Sequence, residues 1–224
     1  MTDGMTMEMR LRETAEMGAR QFSAPRGSLT SGRLEFARGA ARLTIRGATI
    51  PELFRARFDR PAPAVSLDGG AVTVRNPRFS PRNWLRSRPW ARHDGQVTLN
   101  DEVAWDIQIH KGVAHLDADL RALRVEAVEV SQGASHVELR LPRPDGVVPV
   151  RIGGGASHVA IRRPAGTPAR LRIGRGVADL TFDEQEFGAV GGRLRLESLG
   201  TGGTEDRYEI EISGGAAHVQ ITTE

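Results

Sequence analysis

From His136 to Leu141 apolar and polar side chains alternate: Val137, Leu139 and Leu141 fall on one side, His136, Glu138 and Arg140 on the other. A period of two is the mark of a β-strand with one buried face. The surrounding stretch, GASHVELRLP at 133–142, returns as GASHVAIRRP at 155–164. There Val159 and Ile161 face inward, and His158 and Arg162 face outward. The inner set continues through Leu171 and Ile173, Leu180 and Phe182, Leu194 and Leu196, Ile210 and Ile212, and Val219 and Ile221. Between these runs stand PRPDG and PAGTP, with Pro and Gly where a strand cannot continue. Pro149, inside VVPVRI, predicts a short or edge-exposed strand, because proline donates nothing to a ladder.

The pattern also repeats on a longer scale. A Gly-small-small-X-aliphatic unit occurs as GAARL at 39, GVAHL at 112, GASHV at 133, GASHV at 155, GVADL at 176 and GAAHV at 215. After residue 112 the spacings are 21, 22, 21 and 39 residues. The last reads as two repeat lengths, with GGRLRLE at 191–197 as a degenerate copy between. Two strands per unit of about 21 residues predict an all-β, solenoid-like array of stacked strands with few or no helices. No unit buries its apolar face alone. Stacked about 4.8 Å apart, the units turn their aliphatic residues into continuous ladders. Each buried Val or Leu then contributes roughly 1.5–3 kcal/mol. The Gly and Ala of the unit mark corners where neighbouring coils approach closely.

The first hundred residues are less regular. RLEFARGAARLTIRG (33–47) reads as two strands about a glycine turn, and AVSLDGGAVTVRN (64–76) as a hairpin about Asp-Gly-Gly. IPELFRARF (50–58) carries a helical-turn cue, with Pro51 early and Glu52 behind it. Residues 1–26 are polar and Met-rich and are read as a poorly ordered segment. Residues 27–224 form one β domain, irregular over 27–100 and regular over 101–224.

Composition narrows this picture. Aromatic residues make up 5% of the 224, so the core is thin and built from Val, Leu, Ile and Ala. The absence of Cys rules out disulfides and thiolate metal sites and suits a cytoplasmic location. The opening MTDGMTMEMRLRE lacks the apolar stretch of a secretory leader. No run approaches the ~18 apolar residues of a membrane-spanning helix.

Net charge is only +3, and Lys111 is the only lysine. Arginine crowds into RNPRFSPRNWLRSRPWAR (75–92), where Arg82, Trp84, Arg86, Arg88, Trp90 and Arg92 form a candidate surface for nucleic acid or anionic lipid. The plainer reading of that stretch is a solvated loop whose Trp residues cover one end of the core.

Strict alternation puts His115, His136, His158 and His218 in one outer column, with Asp179 in the equivalent place of the unit at 176. Imidazole is a good ligand for zinc or copper, so the column is a candidate metal site. Copying a repeat also copies its surface, however, so the column requires no function, and this second reading is preferred. Ser135 and His136 are strand neighbours and are expected on opposite faces, which argues against a nucleophile–base pair. Asp117 and Asp119 share a face at a spacing common on any charged strand. The tracts GGG (153–155) and GTGG (200–203) do not fit a phosphate loop. No catalytic residue and no cofactor is assigned.

RGAARLTIRGA, DGGAVTVRNP and VTLNDEVAWDIQIHKGVAHLDADLRALRVEAVEVSQGASHVELRLP together resemble the toast-rack domains. Those lie at the C-terminus of LiaF-type bacterial envelope-stress proteins and in many other bacterial proteins. The resemblance covers roughly 32–222 and implies stacked all-β strands; it brings no catalytic residues with it. LiaF-type proteins place membrane helices before the domain, and this chain shows none. The expectation is a non-enzymatic structural or protein-interaction module, in a bacterial envelope-stress setting, with a protein partner or self-association. The alternatives are the Arg/Trp surface binder and a glycan-active enzyme.

Overall fold

The computed structural model describes residues 10–16, 18–76, 94–198 and 206–224. The N-terminal part holds β1 (Arg12–Glu16), β2 (Ala19–Pro25), β3 (Ser31–Phe36), β4 (Ala40–Ala48), β5 (Glu52–Asp59), β6 (Ala64–Asp68), β7 (Ala71–Arg75) and β8 (Asp94–Asn100). The regular repeats follow as β9 (Ala104–Ile109), β10 (Val113–Asp119), β11 (Arg124–Val130), β12 (Ala134–Arg140), β13 (Val147–Ile152) and β14 (Ala156–Arg163). The C-terminal part adds β15 (Ala169–Ile173), β16 (Gly176–Val177), β17 (Leu180–Phe182), β18 (Gln185–Phe187), β19 (Val190–Gly191), β20 (Leu194–Glu197), β21 (Arg207–Ile212) and β22 (Val219–Thr223). Among the described residues no helix is long and apolar enough to cross a membrane.

An eleven-stranded sheet runs β1-β2-β5-β8-β4-β10-β12-β14-β22-β17-β18, and a nine-stranded sheet runs β20-β15-β21-β13-β11-β9-β3-β7-β6. Each coil crosses from the nine-stranded sheet to the eleven-stranded one through a tight corner, as in β9–β10, β11–β12 and β13–β14. The apolar ladders lie between the sheets. Leu43, Leu116, Val137, Val159, Val219 and Leu180 are in register along one row. Phe36, Ile109, Val130, Ile152, Ile212 and Ile173 face them from the other sheet, and all twelve are buried.

At the corners the glycines stack. The N–H following each one donates to the carbonyl of the next: Ala40 to Gly112 at 3.3 Å, Val113 to Gly133 at 3.3 Å, Ala134 to Gly155 at 3.0 Å, Ala156 to Gly215 at 3.1 Å and Ala216 to Gly176 at 3.0 Å. At Gly112, φ is +83° and a Cβ would fall 2.4 Å from the Gly133 carbonyl oxygen, so only glycine fits.

That hydrogen-bond order corrects the sequence reading of the C-terminal repeats. The unit at 215 does not follow two repeat lengths beyond the unit at 176; it enters between the units at 155 and 176. Strand β22 pairs in parallel with both β14 and β17, and β21 with both β13 and β15. GGRLRLE is no stacked copy, since its strand β20 runs antiparallel to β15 at the sheet edge. The reason is geometric. The turn-backs through β18 and β20 cover the outer sides of β17 and β15, which leaves their inner sides to the last coil.

The N-terminal end is closed in the same manner. Strand β4 bonds β10 directly, while β5 is antiparallel between β8 and β2. The helical turn expected near Pro51 is instead strand β5. Phe54, Ala56 and Phe58 alternate inward there, and pairing on both sides outweighs the local proline cue. Residues 12–16 and 19–25, read from sequence as poorly ordered, form β1 and β2. The second of these buries Ala19, Phe22 and Ala24.

Pro149 also departs from expectation, because β13 is an interior strand. Its ladder to β11 starts only at Val150, and β11 is irregular between Val125 and Ala127. The missing N–H therefore falls where that ladder has no partner for it.

The histidine face, a candidate binding surface

Parallel pairing without slippage carries one side chain of each coil to the same height. His115 is opposite Arg42 on one neighbouring strand and His136 on the other, and His136 is opposite His158. Strand spacing of about 4.8 Å then brings the rings into contact. The centroids of His115 and His136 are 4.6 Å apart with planes at 2°, those of His136 and His158 6.0 Å at 28°, and those of His158 and His218 4.9 Å at 22°.

Charge closes the column at each end. Beyond His115, Arg42 sits in register with Asp94, 3.9 Å away. Beyond His218, Asp179 holds the imidazole Nδ1 at 3.1 Å. His218 is reached with φ +52°, so the backbone is bent to finish the row. The predicted column is therefore present as a row of seven, of which the sequence reading named five. Arg42 occupies the histidine's place in GAARL and was legible there. Asp94 belongs to no copy of the unit, and only strand pairing brings it in.

The next outward row is charged. Glu138 accepts from Arg140 and Arg162, each at 2.6 Å, and these guanidinium groups hold its carboxyl below the usual range, the Arg162 bond contributing most. Arg121 does the same to Asp119. His115 is pushed below its ordinary value, first by partial burial and then by His136 and Arg42.

Lone pairs lie in the ring plane, so rings stacked face to face send them along parallel lines that do not converge on one ion. Among the described residues no group of three or more His or acidic side chains is placed to hold a metal. Ser135 and Ser157 are exposed, as are the histidines that follow them, contrary to strict alternation, since Ala134 and Ala156 take the buried position one residue earlier.

The structure shows a second polar chain, on the nine-stranded sheet, that the sequence reading missed. His110 Nδ1 is 3.2 Å from Ser131 Oγ and its Nε2 3.5 Å from Glu35. The Ser131 hydroxyl donates to Glu129 at 3.2 Å, so its proton is directed away from the imidazole. That is a surface hydrogen-bond chain rather than an activated nucleophile. The Arg/Trp candidates, Arg82, Trp84, Arg86, Arg88, Trp90 and Arg92, lie outside the described residues.

Two facing, mainly parallel sheets, joined by glycine corners and closed at both ends by antiparallel strands, define a β-rack with flat polar outer faces. The family model for the N-terminal domain of toast_rack, DUF2154, matches residues 13–162, more than half of the sequence. The chain belongs to the toast-rack family. No curated protein matches the sequence.

A solved structure from Clostridium sporogenes ATCC 15579, described as a "putative cell adhesion protein", superimposes with a TM-score of 0.69 at 15% identity, covering 96% of this chain and 100% of that one. At that identity the likeness shows the fold alone. A second structure, a "putative adhesin" from Bacteroides fragilis NCTC 9343, gives a TM-score of 0.28 at 7% identity over 98% of each chain, too low to bear on the fold.

Proposed function

We propose that this chain is a non-enzymatic interaction module that holds a protein partner against the histidine face of the eleven-stranded sheet, as a scaffold in the bacterial envelope-stress response. The observation that supports this reading is the stacked imidazole row, capped by Asp94–Arg42 and by Asp179 and bordered by Glu138, Arg140 and Arg162. It is a flat, ordered polar strip that crosses several coils, and it offers rings and charges at the spacing of the strands. Such a strip suits broad contact with another polypeptide rather than enclosure of a small substrate. The cell-adhesion description of the Clostridium sporogenes structure points the same way.

Site-specific photocrosslinking in the native bacterium tests it. A crosslinker at Ser157, beside the imidazoles, is expected to capture a discrete protein. One at Glu211, on the outer face of the other sheet, is not. Capture from Glu211 alone, or no capture from Ser157, overturns the proposal. Cell fractionation in the same strain tests the cytoplasmic location that accompanies it.

A further inference from the structure

The corner between the two sheets carries cations that neither the core nor the histidine face uses. In stack order the residues before the corner glycines are Arg38, Lys111, Gln132, Gly154, Gly214 and Arg175. Phe36 pairs with Ile109 before the corner and Ala40 with Val113 after it, so Arg38 and Lys111 take the same position in neighbouring coils. Strand spacing sets their backbones about 4.8 Å apart. Like charges so placed repel, and an anion between them removes the repulsion. Lys111 is also held at φ +71°, a conformation that suits glycine better.

Both side chains are exposed and line an open cavity of about 410 Å³, together with Asn76, Ser135 and the small residues of the corner. That volume is in the range of small-molecule sites, roughly 300–1,000 Å³. Arg38 Nη1 donates to the Asn76 carbonyl at 3.2 Å, which ties the guanidinium to the cavity wall. No carboxylate lines the cavity. Glu35 and Asp106, on the strands that enter this corner, pair with His110 and Arg33. Asp117 and Asp119, on the strand that leaves Lys111, pair with Arg140 and Arg121. Residues 77–93, which follow Asn76 in the sequence, contain five arginines and no Asp or Glu, so they bring no carboxylate to neutralise the two cations.

The charge selects the ligand class. Two cations balance a dianion. A phosphate monoester carries about −1.5 to −2 at neutral pH, whereas a carboxylate or a phosphodiester carries a single charge. Its three terminal oxygens suit a guanidinium, an ammonium and a hydroxyl as donors.

We propose that this corner binds a terminal phosphate group through Arg38 and Lys111, with the Ser135 hydroxyl as a further donor. The site does not rest on the partner reading of the histidine face, since both cations precede the strands of that sheet. A free phosphate ester and a lipid headgroup present the same group. The full chain is therefore titrated by calorimetry with inorganic phosphate and glycerol 3-phosphate, with acetate as control, and sedimented with phosphatidylcholine vesicles with and without phosphatidic acid.

Saturable binding is expected in at least one arm: the soluble ester identifies a free ligand, and phosphatidic acid vesicles alone identify a lipid. Acetate is expected to bind at least about tenfold more weakly. Lys111→Gly removes the ammonium and suits the positive φ, so it is expected to keep the fold and weaken binding at least about tenfold; Arg38→Gln is expected to do the same. Arg172→Gln removes the same charge from the exposed side of β15 and is expected to leave binding unchanged. No binding in either arm, acetate binding as tightly as phosphate, binding unchanged in Lys111→Gly, or an equal loss in Arg172→Gln overturns the proposal.

Discussion

The middle of the rack and its two ends solve different problems. In the middle, β10, β12 and β14 are parallel, share one register and are fed by the same glycine corner, so each coil offers its neighbour the same edge. An array of that kind has no natural stop, and an open parallel edge invites pairing with another chain. At the ends the chain turns antiparallel, through β5, β2 and β1 on one side of the eleven-stranded sheet and through β18 on the other. The nine-stranded sheet ends likewise in β6 and β20. These terminal strands are more exposed. Along β20, Leu194 and Leu196 are only half-buried, whereas Leu139 and Leu141 in the middle are closed off. Repetition builds the core, and departure from repetition ends it.

Substitutions sharpen the contrast, beginning with the largest effect. Leu139→Ala empties a site buried between neighbours on both sides, and a loss of about 2–5 kcal/mol is expected in urea unfolding. Leu194→Ala at the end is expected to cost about 1 kcal/mol or less. Equal losses would mean that the ends are as tightly packed as the middle.

The corner glycines divide similarly. Gly112→Ala forces a Cβ onto the Gly133 carbonyl at a positive φ, and a loss of about 1–3 kcal/mol is expected. At Gly215 the nearest atom to a Cβ would be the Gly176 carbonyl oxygen at 3.8 Å, so Gly215→Ala is expected to be neutral or to stabilise by under about 1 kcal/mol. A matching loss at both positions in thermal unfolding would mean that neither the positive φ nor the close carbonyl at Gly112 sets the requirement.

Charge effects come next. Glu138→Gln removes the carboxylate shared by Arg140 and Arg162 on a partly exposed face, and a loss of about 0.5–1 kcal/mol is expected at neutral pH. The Glu138 carboxyl is held below its ordinary value, so its contribution is full above about 4.5 and fades as pH falls through its lowered folded value. The difference between wild type and variant should close in acid.

The smallest effect concerns the histidines. His115 is held below the ordinary 6.5, so the unfolded chain binds its proton more readily. Its neutral form supports the fold above about 6.5, and that support is lost as pH falls from there through the lowered folded value. NMR titration should place His115 below an unperturbed imidazole, and His136→Ala, which removes a neighbouring imidazole, should bring it closer to the ordinary value.

Much of this was legible in the residues. Copying GASHV into GASHV copied a buried Val, an outward His and a corner Gly together, so alternation and period gave the strands, the inner face and the imidazole row. Arg163 was also readable as inward, two residues beyond Ile161, but alternation alone could not say that Asp183, Thr167 and Ser198 would meet it. The same limit explains the misplaced unit at 215. Its sequence marks it as a coil, but its neighbours are chosen by which strand edges remain open.

What the sequence determined by itself is local: a period of two sets which side chains face inward, and small residues at fixed intervals set where the chain can turn against a close neighbour. What only the tertiary structure decided is adjacency. Backbone hydrogen bonds between strands carry no address, so β4 meets β10 and β22 enters between β14 and β17. Those pairings follow from which edges the end strands cover and which they leave free.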